Sequence, residues 1–125
     1  MQGLHLTADL QGCDPARPTM TDPAALRTLC LAAVDTAGLQ PVGELFHRFT
    51  PPRQGATHAG VTGVVLLAES HLAVHTWPEL GVVTLDAYVC NVSDDNSARA
   101  ERLLAALLAA FAPARVERHV LRRGT

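Results

Sequence analysis

The chain has 125 residues, of which 48% are hydrophobic and 18% charged, and its formal net charge is −2. This length predicts one domain with a single core, and the composition excludes an intrinsically disordered protein. The balanced charge argues against a nucleic-acid partner, and the longest apolar runs fall short of the roughly 20 residues that a membrane span needs. The first residues lack the pattern of a signal peptide. We therefore expect one cytoplasmic domain over residues 1–125, with no nucleic-acid or membrane partner.

The first elements are a strand and a helix. Residues 4–10 alternate between apolar and polar side chains, which is typical of a half-buried strand. After a loop, Asp22 is suited to cap a helix that has Pro23 in its first turn and Gly38 just past its end. Apolar residues recur every three or four positions in between, so this helix has one side to bury.

Extended segments dominate the middle of the chain. A second strand is predicted over residues 42–49, and the Pro and Gly residues between 51 and 60 indicate an exposed loop. Residues 61–68 are continuously apolar and rich in Val, as in a central strand. Further strands are predicted over residues 72–76 and 82–90.

A second helix and a last strand complete the pattern. Asp94, Asp95 and Asn96 offer caps for a helix that Pro113 ends, and a short strand follows over residues 116–121. The order is β-α-β-β-β-α-β, and a break at Glu69-Ser70 within one strand would bring the total to about six strands. This predicts an α+β, two-layer sandwich: a mainly antiparallel sheet with both helices on one face. We expect a partner sheet to cover the other face.

The cysteines and histidines do not predict a metal centre. Cys13, Cys30 and Cys90 are odd in number, far apart and without a Cys-x-x-Cys pair, which argues against disulfides and a thiolate zinc site. His71 and His75 have the spacing of metal ligands on a helix, but the residues between them indicate a strand. We therefore expect no metal.

Residues 68–79 contain the densest group of polar side chains. They include the only Trp, two His, two Glu and Ser70, directly after an apolar strand. Each buried polar side chain needs a partner, so a strand that merely fills a core would not carry so many. One interpretation is a nucleophilic site with Ser70, a His and Cys90; the other is a polar rim at a sheet edge. A hydrolase is not favoured, because the sequence has no Gly-x-Ser-x-Gly elbow and no clear third member of a triad.

Residues 69–79 read Glu-Ser-His-Leu-Ala-Val-His-Thr-Trp-Pro-Glu and resemble the self-processing segment of the short prokaryotic S-adenosylmethionine decarboxylases. The resemblance extends to residues 60–65 and 46–49, to Cys90, and to residues 3–14. It covers nearly the whole chain, and the central motif is long enough to be highly specific.

The resemblance implies a proenzyme that makes its own cofactor. Ser70 would attack the carbonyl of Glu69, and cleavage between the two would give a β chain of residues 1–69 and an α chain of residues 70–125. The new terminus, derived from Ser70, would become a covalent pyruvoyl group. By the same resemblance His75 assists processing as an acid or base, and Thr62 stands where many relatives have a supporting Ser.

The resemblance also implies how the mature enzyme works. The pyruvoyl ketone would form a Schiff base with the substrate amine and accept the electrons that loss of CO₂ leaves behind. Cys90 would return a proton to the substrate carbon. Phe49 would stack on adenine, Trp77 and Glu79 would shape the pocket, and the site would lie between two protomers of a homodimer of αβ units.

Some positions differ from the family pattern. The loop over residues 50–59 looks longer than in relatives, and Asn91-Val92-Ser93 replaces the usual Gly-Asp or Gly-Glu after Cys90. The Asp-Pro-Trp-Lys that often opens the second helix is missing. Our leading hypothesis is an S-adenosylmethionine decarboxylase that serves spermidine biosynthesis. The alternatives are a pyruvoyl-dependent ornithine or arginine decarboxylase, and an uncleaved regulatory paralogue.

Overall fold

The fold was analysed in a computed structural model, which describes residues 1–50 and 59–124. The predicted loop that begins after Thr50 falls on residues 51–58, outside the described residues. Within the described residues the elements follow the predicted order, and a 3₁₀ turn precedes the first helix: β1 (Gln2–Gln11), 3₁₀ (Pro18–Met20), α1 (Pro23–Ala37), β2 (Pro41–Arg48), β3 (Val61–Leu67), β4 (Ser70–Trp77), β5 (Val82–Cys90), α2 (Ser97–Phe111) and β6 (Arg115–Gly124).

The strands form one antiparallel sheet in the order β2-β3-β4-β5-β1-β6. Both helices pack on one face, α1 against β2 and β3 and α2 against β5 and β1. This confirms the predicted α+β, two-layer sandwich. The predicted break falls one residue earlier than expected: Leu67 pairs with Ser70, so a two-residue turn, Ala68-Glu69, joins β3 to β4.

The helix boundaries arise from the residues that the sequence marks. The Asp22 carboxylate accepts a hydrogen bond from the backbone N–H of Ala24 at 3.0 Å, and Gly38 ends α1 in the left-handed region with φ 80°. At the start of α2, Asn96 occupies the N-cap position. The Asp95 carboxylate accepts a hydrogen bond from the backbone N–H of Ser97 at 3.0 Å. Among the described residues, no helix is long and apolar enough to cross a membrane.

A single hydrophobic core lies between the sheet and the helices. Each helix buries one stripe, and the largest fully buried side chains include Phe111, Leu107 and Leu26. We call the other side of the sheet, which neither of the two described helices covers, the open face. On β4 the open face carries His71, Ala73, His75 and Trp77, because side chains alternate along a strand.

Candidate active site

Ser70 and Cys90 lie together at one end of the sheet. Ser70 is the first residue of β4 and follows Glu69, which is exposed in the turn with φ 62°. The backbone N–H of Cys90 donates a hydrogen bond to Ser70 Oγ at 3.1 Å. We call this pair the serine end of the site. It is held by β4–β5 pairing, which continues from His71 opposite Tyr88.

The loop after Cys90 is tied down by two asparagine side chains. The Asn96 side-chain amide donates to the carbonyl oxygen of Cys90 at 2.9 Å, and the Asn91 side-chain oxygen accepts from the backbone N–H of Asn96 at 2.8 Å. These bonds occupy the segment where the sequence differs from the family pattern. They fix the backbone of Cys90, a residue that is 9% exposed.

Thr62 and His75 form a second pair, on the open face. They are direct neighbours in the β3–β4 register, and Thr62 Oγ1 lies 2.6 Å from Nδ1 of His75. The His75 ring centroid is 6.0 Å from that of Trp77, which is in turn 6.4 Å from that of Phe49. We call these four residues the aromatic end of the site. Glu79 is exposed in the turn that follows β4.

The two ends are not brought together within one chain. His75 follows Ser70 by five residues along the same strand, which separates them by about 16 Å at the rise of an extended chain. A side chain cannot span that distance to assist a proton transfer, which requires hydrogen-bond contact or a single bridging water. One chain therefore holds the two groups of candidate residues at opposite ends of β4.

Comparison with known proteins decides the family. Residues 4–124 match the protein family described as S-adenosylmethionine decarboxylase. The chain is 36% identical over 122 residues to the S-adenosylmethionine decarboxylase proenzyme of Aquifex aeolicus, covering 98% of this chain and 81% of that one. It is 37% identical over 123 residues to the proenzyme of the same name from Persephonella marina, covering 98% and 83%. The chain belongs to the S-adenosylmethionine decarboxylase family.

A solved structure shows that this S-adenosylmethionine decarboxylase family member also has the fold of the family. The crystal structure of the adenosylmethionine decarboxylase from Aquifex aeolicus superposes with a TM-score of 0.83 at 34% identity. The match covers 98% of this chain and 91% of that one. The predicted family resemblance is therefore confirmed over almost the full length.

Sequence reasoning missed three residues of this family member that surround His71 on the open face. The His5 imidazole contacts the Asp86 carboxylate, and Nε2 of His71 lies 4.0 Å from the same carboxylate oxygen. The Tyr88 ring centroid is 5.6 Å from that of His71 and 6.0 Å from that of His5. Together with His71 these residues lie on three strands, β1, β4 and β5, so no local spacing could connect the three strands. The one available signal was the polar side of β1, where alternation already put His5.

His5, His71 and Asp86 could hold a divalent transition metal in this family member. Their ligand atoms all lie within 4.8 Å of one another, and two imidazoles with a carboxylate are a ligand set that Zn²⁺ accepts. His75, the residue whose spacing first suggested metal ligation, is not among them. The expectation that the protein uses no metal stays a prediction.

Not every polar residue of the decarboxylase motif belongs to the site. Thr76 is fully buried; its hydroxyl donates to the carbonyl oxygen of Met20 at 2.8 Å and accepts from the backbone N–H of Val61 at 2.8 Å. The first bond ties the sheet to the segment before α1, and the second joins β4 to the start of β3. Thr76 is therefore a structural residue within a motif whose neighbours face the open side.

Proposed function

We propose that this chain is a self-processing S-adenosylmethionine decarboxylase that supplies the aminopropyl donor for spermidine biosynthesis. The observation that carries the proposal is the position of Ser70: it follows an exposed turn, and its Oγ is hydrogen-bonded beside Cys90. The relatives reported above carry the name of this reaction and the word proenzyme. The comparisons do not support a basic amino acid as substrate or an uncleaved regulatory role.

The processing reaction uses the chain's own atoms. The Ser70 hydroxyl oxygen adds to the carbonyl carbon of Glu69, the C–N bond breaks, and the hydroxyl proton ends on the released nitrogen of Ser70. Elimination then removes the proton from Cα of Ser70 and breaks its Cβ–Oγ bond, which frees Glu69 as a carboxylate. Addition of water and loss of ammonia leave a pyruvoyl group at the start of the α chain, residues 70–125, beside a β chain of residues 1–69.

The residues around Ser70 fit a pyruvoyl group. Its carbonyl, once formed, supplies an electron sink for the pair of electrons that a departing carboxylate leaves. Cys90 lies beside Ser70, and its thiol, an S–H donor, returns a proton to the substrate carbon. Phe49 and Trp77 offer ring faces to adenine, and Glu79 offers a carboxylate to the polar part of the substrate.

We propose that the working unit is a homodimer of αβ units, in which the aromatic end of one protomer faces the serine end of its partner. Two observations support this arrangement. His75 and Thr62 lie too far from Ser70 of their own chain to act on it, and the open pocket that they line measures about 150 Å³. Ligand pockets usually measure about 300–1,000 Å³, so this pocket by itself is too small for a nucleoside substrate.

Three free thiols support a cytoplasmic location. Cys13, Cys30 and Cys90 are all unpaired in the structure. Reducing compartments preserve free thiols, whereas secreted proteins of this size usually pair them. We propose that the enzyme works in the cytoplasm.

The first experiment measures mass and CO₂ release. Purified wild-type protein should give two fragments on a denaturing gel and an α chain without a free amine at its terminus. Ser70→Ala should stay at the intact mass. Labelled S-adenosylmethionine should release CO₂, whereas labelled ornithine and arginine should not. An unbroken wild-type chain, or release from a basic amino acid instead, contradicts the proposal.

The second experiment tests the shared site by complementation. His75→Ala alone should cleave at least a hundredfold more slowly than wild type, the lower bound for a lost acid–base group. When differently tagged Ser70→Ala and His75→Ala chains are produced together, a mixed dimer holds one complete site. The His75→Ala chain should then be cleaved and the Ser70→Ala chain should not. If co-production does not restore cleavage, His75 acts within its own chain.

A further inference from the structure

The turn that carries the proposed cleavage site has an unfavourable residue in it. Leu67 pairs with Ser70, so Ala68 and Glu69 alone connect β3 to β4. Two-residue hairpin turns need residues with positive φ, a requirement that Asn and Gly meet most easily. Glu69 has φ 62° although its Cβ disfavours that region. Among the described residues, only Ala112 is another non-glycine residue with positive φ.

The surrounding structure prevents the turn from relaxing. The β3–β4 pairing is continuous from Thr62 opposite His75 to Leu67 opposite Ser70. On one side of the turn the backbone N–H of Ala68 donates to the carbonyl oxygen of Gln40 at 3.2 Å. On the other side Ser70 Oγ accepts from the backbone N–H of Cys90 at 3.1 Å. Strain of this kind persists where neighbouring contacts over-determine a conformation, and it concentrates at functional positions.

We infer that the left-handed conformation of Glu69 is a strain device that accelerates self-cleavage. This inference rests on the proposed function, since it concerns the bond between Glu69 and Ser70. In the first step a C–O bond forms between Glu69 and Ser70 Oγ, the C–N bond breaks, and the hydroxyl proton moves to the nitrogen. The connection then runs through Oγ and Cβ, so the turn is longer and Glu69 can leave the left-handed region. The precursor with an intact Glu69–Ser70 peptide bond is strained at Glu69, and the ester intermediate is not.

A pair of substitutions separates the backbone from the side chain. Glu69→Gly and Glu69→Ala both lack the carboxylate, but only glycine adopts positive φ without a steric penalty. Full-length precursor made by cell-free translation is followed over time on a denaturing gel. The Gly variant should cleave about fivefold to thirtyfold more slowly than the Ala variant, which corresponds to about 1–2 kcal/mol. Glu69→Asn, which tolerates positive φ, should likewise be slower than Glu69→Gln.

Stability provides the second readout. In the non-cleaving Ser70→Ala background, Glu69→Gly should raise the melting temperature relative to Glu69→Ala, because it removes strain from the folded precursor. If the turn had only a structural role, Glu69→Gly would be more stable than Glu69→Ala but would cleave at the same rate. Equal cleavage rates for Gly and Ala, with a wild type that cleaves, overturn this inference alone. A wild-type chain that never cleaves overturns the proposed function as well.

Discussion

At the scale of single residues, neighbouring side chains of one short motif serve different purposes. Ser70 is half-buried beside Cys90, His75 faces the open side of the sheet, and Thr76 between the sheet and the core is fully enclosed. Alternation along β4 explains the difference, because successive side chains project to opposite faces. His75 therefore projects from the open face, whereas Ser70 and Thr76 share the opposite parity along β4, and Thr76 makes structural hydrogen bonds there.

Cys90→Ala should separate processing from catalysis. We expect the chain still to be cleaved, because the proposed nucleophile is intact, while decarboxylation falls by about a hundredfold to ten-thousandfold through loss of an acid. Turnover of S-adenosylmethionine and the fate of the decarboxylated product are the measurements. Cys30→Ala is the matched control: that thiol is buried in α1, so turnover per folded molecule should be unchanged. If Cys90→Ala turns over normally, the proton comes from elsewhere.

The Cys30 thiol should be inert in the folded protein. Burial raises its pKa from 9.0 to about 12. At pH 8 this leaves about one molecule in ten thousand as thiolate, against about one in ten in the unfolded chain. Mass spectrometry after iodoacetamide treatment should find Cys30 unmodified until denaturant is added. Since the folded pKa is the higher one, the stability contributed by the neutral thiol should decline as the pH rises from 9 towards 12.

At the scale of elements, most boundaries could be predicted because they depend on local signals. Asp22, Pro23 and Gly38 mark both ends of α1, and β5 has the predicted bounds, Val82–Cys90. β4 is longer than predicted and includes Ser70 and Trp77. Its ends carry polar or bulky residues that look unlike a strand, but pairing with β3 and β5 on both sides holds them extended.

Removal of the α1 cap should have a measurable cost. Asp22→Ala leaves the backbone N–H of Ala24 without its partner and should lower the free energy of unfolding by about 1 kcal/mol. Asp35→Ala is the control, because this exposed carboxylate lies near the helix C-terminus, where a negative charge is unfavourable. Urea denaturation should show no loss for the control. Equal losses in both variants would rule out a specific cap.

At the scale of the whole molecule, the open face is apolar enough to form an interface. Leu45, Leu66 and Leu121 project from it and are each at least 50% exposed. Together with the divided site, they favour a pairing of open faces between two copies. Such a pairing would cover the side of the sheet that the helices leave bare.

Leu66→Glu should break this assembly, because each copy would bury an unpaired carboxylate in an apolar contact. Analytical ultracentrifugation should report the mass of a single αβ unit instead of two, and processing should slow because His75 no longer reaches a partner. Leu80→Glu, at a more exposed leucine in the turn after β4, should stay dimeric and active. A Leu66→Glu protein that remains dimeric would show that the copies meet elsewhere.

The amino-acid sequence by itself determined the element types, the helix caps and the family motif, because each depends on residues close together along the chain. It also indicated Ser70, His75 and Cys90 as candidates. Only the tertiary structure revealed that His5, Asp86 and His71 meet, since their contact depends on the register of three strands. Tertiary structure likewise separated Ser70 from His75, because an extended strand places residues that are close in sequence about 16 Å apart.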